Sequence, residues 1–204
     1  MSKIEVDAIE PQSGTSLTLG ASGDTITIPS GATITNSGTA TGFGGGKVLQ
    51  VVSVTWKDAF SSTTGGGSFV NITGATLAIT PSLASSKIFF QSMITTGAET
   101  YGVVLKIQRD GSDIAGALGT VTGSRVASTA YSSGHSSDGA ELQSTYMSYL
   151  DSPSSTSSLT YTVQGSARYQ PAALTWTVNY PYEDTDANYT SHSVSTITLM
   201  EIGV

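Results

Sequence analysis
The chain has 204 residues, with eight Lys and Arg against fifteen Asp and Glu, for a formal charge of −7. The cations are scattered from Lys3 to Arg168, which argues against nucleic acid as a partner, since phosphate binding draws on clustered basic side chains. Cys is absent and only 11% of residues are charged, so the chain has neither disulfides nor thiolate metal sites, and its surface is carried by hydroxyls and amides.

Residues 1–14 alternate charge with aliphatic side chains: Lys3, Glu5, Asp7 and Glu10 against Ile4, Val6 and Ile9. Such a half-apolar strand can add to a sheet edge on another protein, so Ile4, Val6 and Ile9 are candidate anchor residues. This terminus lacks the basic-then-apolar layout of a signal peptide, and no stretch of the chain has the length of a membrane helix.

Residues 15–46 form a thread of short beads, Ser16 to Gly20, Thr25 to Pro29 and Thr33 to Asn36, ending in the Gly-rich run Thr41 to Gly46. Each bead alternates an aliphatic residue with Thr or Ser, the period-two signature of a strand with one apolar face. Strands of about four residues cannot bury that face against their own neighbours. Several copies winding together can, which predicts a thin intertwined β stalk and a homotrimer.

Residues 47–204 read as strands separated by turns. Val48–Trp56, Phe69–Thr80, Lys87–Thr95, Val103–Arg109, Leu159–Gln164, Leu174–Tyr180 and Val194–Ile202 carry the β-branched and aromatic residues of strands. Ser61 to Ser68 reads as a loop, as does Gly119 to Gly139. Arg109-Asp110-Gly111-Ser112 predicts a tight hairpin whose second arm runs through Ile114 toward Leu118. Glu141 to Leu150 fits a helix face or a strand face. Strand is preferred, because Thr, Tyr and Ser dominate and no cap opens a helix. About eight strands and no helix give an all-β fold: a fibrous stalk followed by an antiparallel β-sandwich head, jelly roll among the candidates.

Motifs for chemistry are weak. Gly42 to Lys47 resembles a phosphate loop, but the motif needs Ser or Thr after Lys and a helix there, and Val48 starts a strand. His135, Ser136 and Asp138 are sequence neighbours, whereas a triad needs three groups converging in separate roles. Asp184, Asp186 and Asn188 alternate like a calcium loop, yet Tyr189 replaces its turn glycine and Ser195 its closing Glu. No catalytic residue, metal or cofactor is expected. The richest segment holds Tyr169, Trp176, Tyr180, Tyr182 and Tyr189 beside Glu183, Asp184 and Asp186. Aromatic faces next to carboxylates can stack on a sugar and accept its hydroxyl hydrogen bonds. The alternative is that Trp176 and two of the tyrosines sit in the core or a subunit interface.

The opening MSKIEVDAIEPQSGTSLTLGASGDTITIPSGATIT resembles the N-terminal segments of fibre-like virion proteins of tailed bacteriophages, marine ones especially. Gly46 to Val51, Ile72-Thr73-Gly74, Ile79-Thr80-Pro81, Ser86-Lys87-Ile88, Arg109-Asp110-Gly111 and Ile197 to Ile202 are similar to a C-terminal domain common on phage fibres. The resemblance implies a homotrimeric virion appendage, assembled in the host cytoplasm, docked on another virion protein by its N-terminus. It implies an outward-facing head used in host adsorption, with a cell-surface glycan or protein as receptor, and no catalytic site. A purely architectural decoration protein, or a surface-polysaccharide hydrolase, are the alternatives.

Overall fold
A computed structural model describes residues 9–33, 35, 37, 47–132, 139–168 and 172–203. The chain divides into two compact units, Met1–Phe43 and Gly44–Val204. Ile4, Val6, Ile34 and the glycine run before Lys47 lie outside the described residues.

In the first unit the described residues form no strand. Turns punctuate the beads: the amide of Asp24 donates to the carbonyl of Ala21 at 3.0 Å, and that of Ala32 to Pro29 at 3.1 Å. Gly23 and Gly31 hold the third position of these turns at φ of 93° and 86°, a left-handed conformation that residues with a side chain rarely adopt. Outside these turns Leu17, Leu19, Ile26 and Ile28 are exposed, and so is Ile9. A ladder needs a second strand, and a single thread supplies none.

The second unit is a two-sheet antiparallel sandwich. Its strands are β1 (Lys47–Trp56), β2 (Phe60–Thr64), β3 (Val70–Ile79), β4 (Lys87–Ala98), β5 (Val103–Arg109), β6 (Ser112–Asp113), β7 (Ala130–Tyr131), β8 (Gln143–Asp151), β9 (Leu159–Ala167), β10 (Leu174–Val178) and β11 (Ser195–Gly203). The only helical piece among the described residues is a single 3-10 turn, Ala115–Ala117, and no helix is long and apolar enough to cross a membrane. Three expectations need correction. The segment Gly119 to Gly139, read as a loop, contains the short strand β7, which forms because β5 offers it an edge. Phe60–Thr64 is a strand rather than part of a loop, and the hairpin arm after Gly111 stops at Asp113, giving way to the 3-10 turn. The hairpin itself forms as the Asp-Gly pair requires, with Asp110 and Gly111 both left-handed and Arg109 facing Ser112.

The eleven strand pieces among the described residues reduce to eight strands. β4 pairs β11 from Lys87 to Met93, then β10 from Thr96 to Ala98, along the same edge. Thus β10 and β11 are collinear, one strand opened in the middle. β1 and β2, which pair β11 and β10 in turn, are collinear as well. Counting each collinear pair as one strand, and β6 with β7 as one, the first sheet runs β8, β4, β10/β11, β1/β2 and the second β3, β9, β5, β6/β7. First pairs with eighth, second with seventh, third with sixth and fourth with fifth. That is a long antiparallel hairpin rolled on itself, the jelly-roll topology.

Ile88, Phe90, Ile94, Leu105, Ile107, Val163, Trp176, Ile197 and Leu199 are fully enclosed between the sheets. The core also holds two acids in one inward-facing row, Gln50–Glu201–Ile88–Asp151. Asp151 accepts from Arg109 Nη1 and, at 2.6 Å, from the Tyr161 hydroxyl, so it ties the two sheets together. Burial, reinforced by Asp151, raises the Tyr161 pKa. Glu201 is wholly buried and accepts from Gln50 Nε2 at 2.7 Å, the Ser82 amide at 2.7 Å and the Ser82 hydroxyl at 3.0 Å. Burial alone would raise its pKa, but the donors from Gln50 and Ser82 outweigh it and hold the carboxyl below its ordinary 4.5.

A depressed folded-state pKa stabilises the fold above the unfolded value. Glu201 therefore contributes its full share above pH 4.5, and that share is lost as pH falls through the lower folded value. Replacing Glu201 by Ala leaves the Ser82 amide without an acceptor and the Gln50 side-chain amide with the Thr80 carbonyl alone, and should cost about 1–3 kcal/mol. Urea unfolding of wild type and E201A should show this at pH 7, with the difference shrinking on acidification below pH 4.5.

Candidate functional site
The site is built where β4 outruns its partners. Between Met93, the last residue facing β11, and Thr96, the first facing β10, the chain leaves the sheet at Asn179 and returns at Ser195. Asn179 is buried and left-handed at φ 70°, a conformation Asn tolerates better than most residues. Its amide donates to the Thr95 carbonyl at 2.9 Å, continuing the ladder by one bond. Its Nδ2 donates to the carbonyls of Trp56 and Asp58, each at 3.2 Å, across the break between β1 and β2. Its Oδ1 accepts from the Ser195 hydroxyl at 2.6 Å, whose oxygen accepts from the Thr95 amide at 3.0 Å. One side chain thus fastens both ends of the excursion.

The excursion, residues 180–194, is pinned internally. The Thr190 hydroxyl donates to the carbonyls of Thr185 and Ala187 at 2.5 and 2.9 Å, and the Glu183 amide donates to the Gly139 carbonyl at 2.9 Å. His192 Nε2 meets Asp184 Oδ1 at 2.9 Å, and the His192 ring lies 6.1 Å from that of Tyr180. Asp184, Thr185, Asp186, Ala187, Thr190, Ser191 and His192 line an open cleft of about 370 Å3. It offers carboxylates that accept, hydroxyls that do both, and one imidazole. Such a set suits a hydroxyl-rich ligand. Among the described residues no three His, Asp or Glu converge as a metal site would need.

The aromatic segment divides. Trp176 is not available to a ligand, which corrects its placement among receptor-binding residues. It is completely buried in β10, 5.4 Å from the Phe60 ring, with Nε1 donating to Thr64 Oγ1 at 2.9 Å, and it lies directly over Gly165. Pairing of β10 with β4 and β2 turns Trp176 inward, on the same face as Leu174 and Val178. Tyr180 and Tyr182 are half-buried at the base of the excursion, while Tyr189 is 71% exposed at its outer turn. Tyr169 lies outside the described residues, as do His135, Ser136 and Asp138.

A second cleft, of about 420 Å3, escaped the sequence reading. Arg125 and Arg168 line it with Val104, Ser124 and Val126. The Arg168 guanidinium lies 5.0 Å over the Tyr131 ring and donates to its hydroxyl at 2.7 Å. Nothing in the spacing of two isolated arginines announces this, because the sheet pairing of β5 with β7 and β9 brings them together.

Trp176→Ala should cost about 3–5 kcal/mol in chemical denaturation, as emptying a large core site does. Asn179→Ala should cost about 1–3 kcal/mol and admit protease cleavage within 180–194 under conditions where the wild type resists.

No family model matches the chain, and no curated protein does. Among solved structures it is similar to a chain in the structure of infectious bursal disease virus Gx strain. The match has 13% identity and a TM-score of 0.35, over 86% of this chain. The chain spans 44% of that longer protein, and at this TM-score the likeness assigns neither family nor role.

Proposed function
We propose that the protein is a non-catalytic structural component of a virus particle, a fibre-like homotrimer with a host-binding head. The observation that supports it best is the pairing of two unlike units in one chain. The thread carries Leu17, Leu19, Ile26 and Ile28 exposed. Burying each such side chain is worth about 1.5–3 kcal/mol, a gain that needs neighbouring copies of the thread. The jelly-roll unit extrudes a long polar excursion from the middle of a strand, which leaves the sheet intact while presenting an exposed loop surface. The resemblance of the N-terminal beads to phage fibre segments adds to this reading, with Ile4, Val6 and Ile9 docking on another virion protein.

Binding is favoured over hydrolysis by the placement of the acids. Asp184 and Asp186 stand on one exposed loop, with Asp184 already engaged by His192. Glycoside hydrolysis uses two carboxylates flanking the scissile bond from opposite sides. Tyr189, the most exposed aromatic of the excursion, is the stacking surface of this reading, and Tyr180 and Tyr182 support the cleft.

Tyr189→Ala and His192→Ala should each lower adsorption of particles to host cells by about tenfold, the effect of roughly 1.4 kcal/mol lost at one contact. Neither should change thermal unfolding by more than about 0.5 kcal/mol. Normal adsorption by both variants would leave the excursion without a receptor role. In the thread, the paired change Ile26→Asp and Ile28→Asp should reduce the mass of the purified full chain in light scattering while the head melts as before. Deleting residues 2–11 should abolish incorporation into particles, read by the copy number of the chain in purified virions.

A further inference from the structure
The two outer faces of the sandwich are chemically unlike. On the β3–β9–β5 sheet, cross-strand rows run Asn71–Gln164–Lys106 and Thr76–Thr162–Gln108–Asp113, and Lys106 pairs with Asp113 at 2.8 Å. These rows are polar and charged. On the opposite face the register aligns Val51–Met200–Phe89–Leu150, then Ser53–Thr198–Gln91–Ser148, then Thr55–Thr196–Met93–Tyr146. None of these twelve positions is charged. Lys87 ends the neighbouring row, Val48–Ile202–Lys87. Val48 and Val51 are each 54% exposed, Leu150 46% and Tyr146 71%. An apolar row therefore crosses the whole sheet on its outer side.

We propose that this face, made by β8, β4, β11 and β1, is where copies of the chain meet in the head. The inference rests on the homotrimer reading above and names the surface involved. A second copy fits better than another partner for three reasons. The chain carries a net −7, so copies repel wherever acids face each other. On these four strands the only acids are Asp151 and Glu201, and both point inward and are buried. The face can thus meet itself without bringing like charges together. Next, β1 is the strand that follows the thread in the chain, so association of threads and of this face are successive along the sequence. Last, the area fits a supplemented contact. Four strands of about nine residues cover roughly 19 by 30 Å, on the order of 570 Å2 per chain. That is short of the roughly 800 Å2 per partner of a stable interface, so the face would associate firmly only with the thread's help. Around a three-fold axis three such faces would enclose a prism, with the row through Phe89 and Met200 lining it. A shallow hollow of about 180 Å3 between Gln91, Met93, Tyr146 and Thr198 would seat a neighbour's side chain.

The test uses the full chain. Val51→Glu with Leu150→Glu places six new negative charges in a trimer's prism, while Asn71→Glu with Thr76→Glu places as many on the opposite face. In sedimentation equilibrium at ten micromolar, the wild type should have the mass of three chains and the opposite-face variant the same. The first variant should fall at least twofold in average mass, with a wild-type circular dichroism spectrum. Because the chain lacks Cys, Val51→Cys and Thr76→Cys give a second readout that does not depend on added charge. A bismaleimide whose spacer spans the roughly 19 Å width of the face should cross-link copies through position 51 and not through 76. A trimer whose mass survives the first variant, or cross-links equally through 76, overturns the face and leaves the trimer standing. A wild type with the mass of one chain overturns both, and leaves the face open to a different partner.

Discussion
The length of β4 organises the head. Its edge of twelve residues, Lys87 to Ala98, is longer than either strand that pairs with it on that side. An unpaired sheet edge in the interior is costly, because each buried amide and carbonyl needs a partner. The chain meets the requirement by laying β10 and β11 end to end along it and sending the intervening residues outward. Thr95, at the join, keeps its backbone partners through Asn179 and Ser195 instead of through a continuous strand. The excursion, its cleft and the matching break between β1 and β2 all follow from that join.

Polar groups enclosed in the sandwich are consistent with this economy. Glu201 and Asp151 face inward from one row, and both are saturated with donors. Its donors hold the Glu201 carboxyl below its ordinary pKa despite burial, and losing one exposes a charge to a medium that cannot solvate it. Asn179 has the same character without charge. Its three side-chain bonds close the fork between sheet and excursion, so the shape of the cleft depends on one amide. The rim of the excursion, by contrast, is held by exposed hydroxyl and imidazole contacts, which are weaker and easily varied.

The asymmetry of the outer faces fits a molecule that has an inside and an outside beyond its own fold. On the outer sides of the sheets, acids are confined to the β3–β9–β5 face, and the opposite face carries charge only at its margin, at Lys47 and Lys87. The apolar row across β8, β4, β11 and β1 repeats the aliphatic and hydroxyl chemistry of the thread's beads, with Val51 and Leu150 in the role of Leu17 and Ile26. Monomers rarely leave such continuous apolar strips to water.

Much of this could be read from the residues alone. Alternation of period two is local, so Val103–Arg109 and the all-β class followed directly, and Asp110-Gly111 specified a hairpin through its left-handed φ values. The beads of the thread alternate in the same way, yet their described residues form no strand, because period two specifies an apolar face and not the partner that a ladder needs. What the residues could not disclose depends on pairing over distance. Phe60–Thr64, rich in Ser and Thr, resembles a loop and becomes a strand only because β10 offers it an edge. Trp176 looked like a ligand surface because it lies among exposed tyrosines and acids in sequence. Its place between the sheets was decided by the register of β10 against β4 and β2, which turns that one aromatic inward and leaves Tyr189 outside. Composition and periodicity determine which residues can form strands. Only the tertiary structure decides which face of each strand is buried, because that choice is made by the partner strand and the opposing sheet.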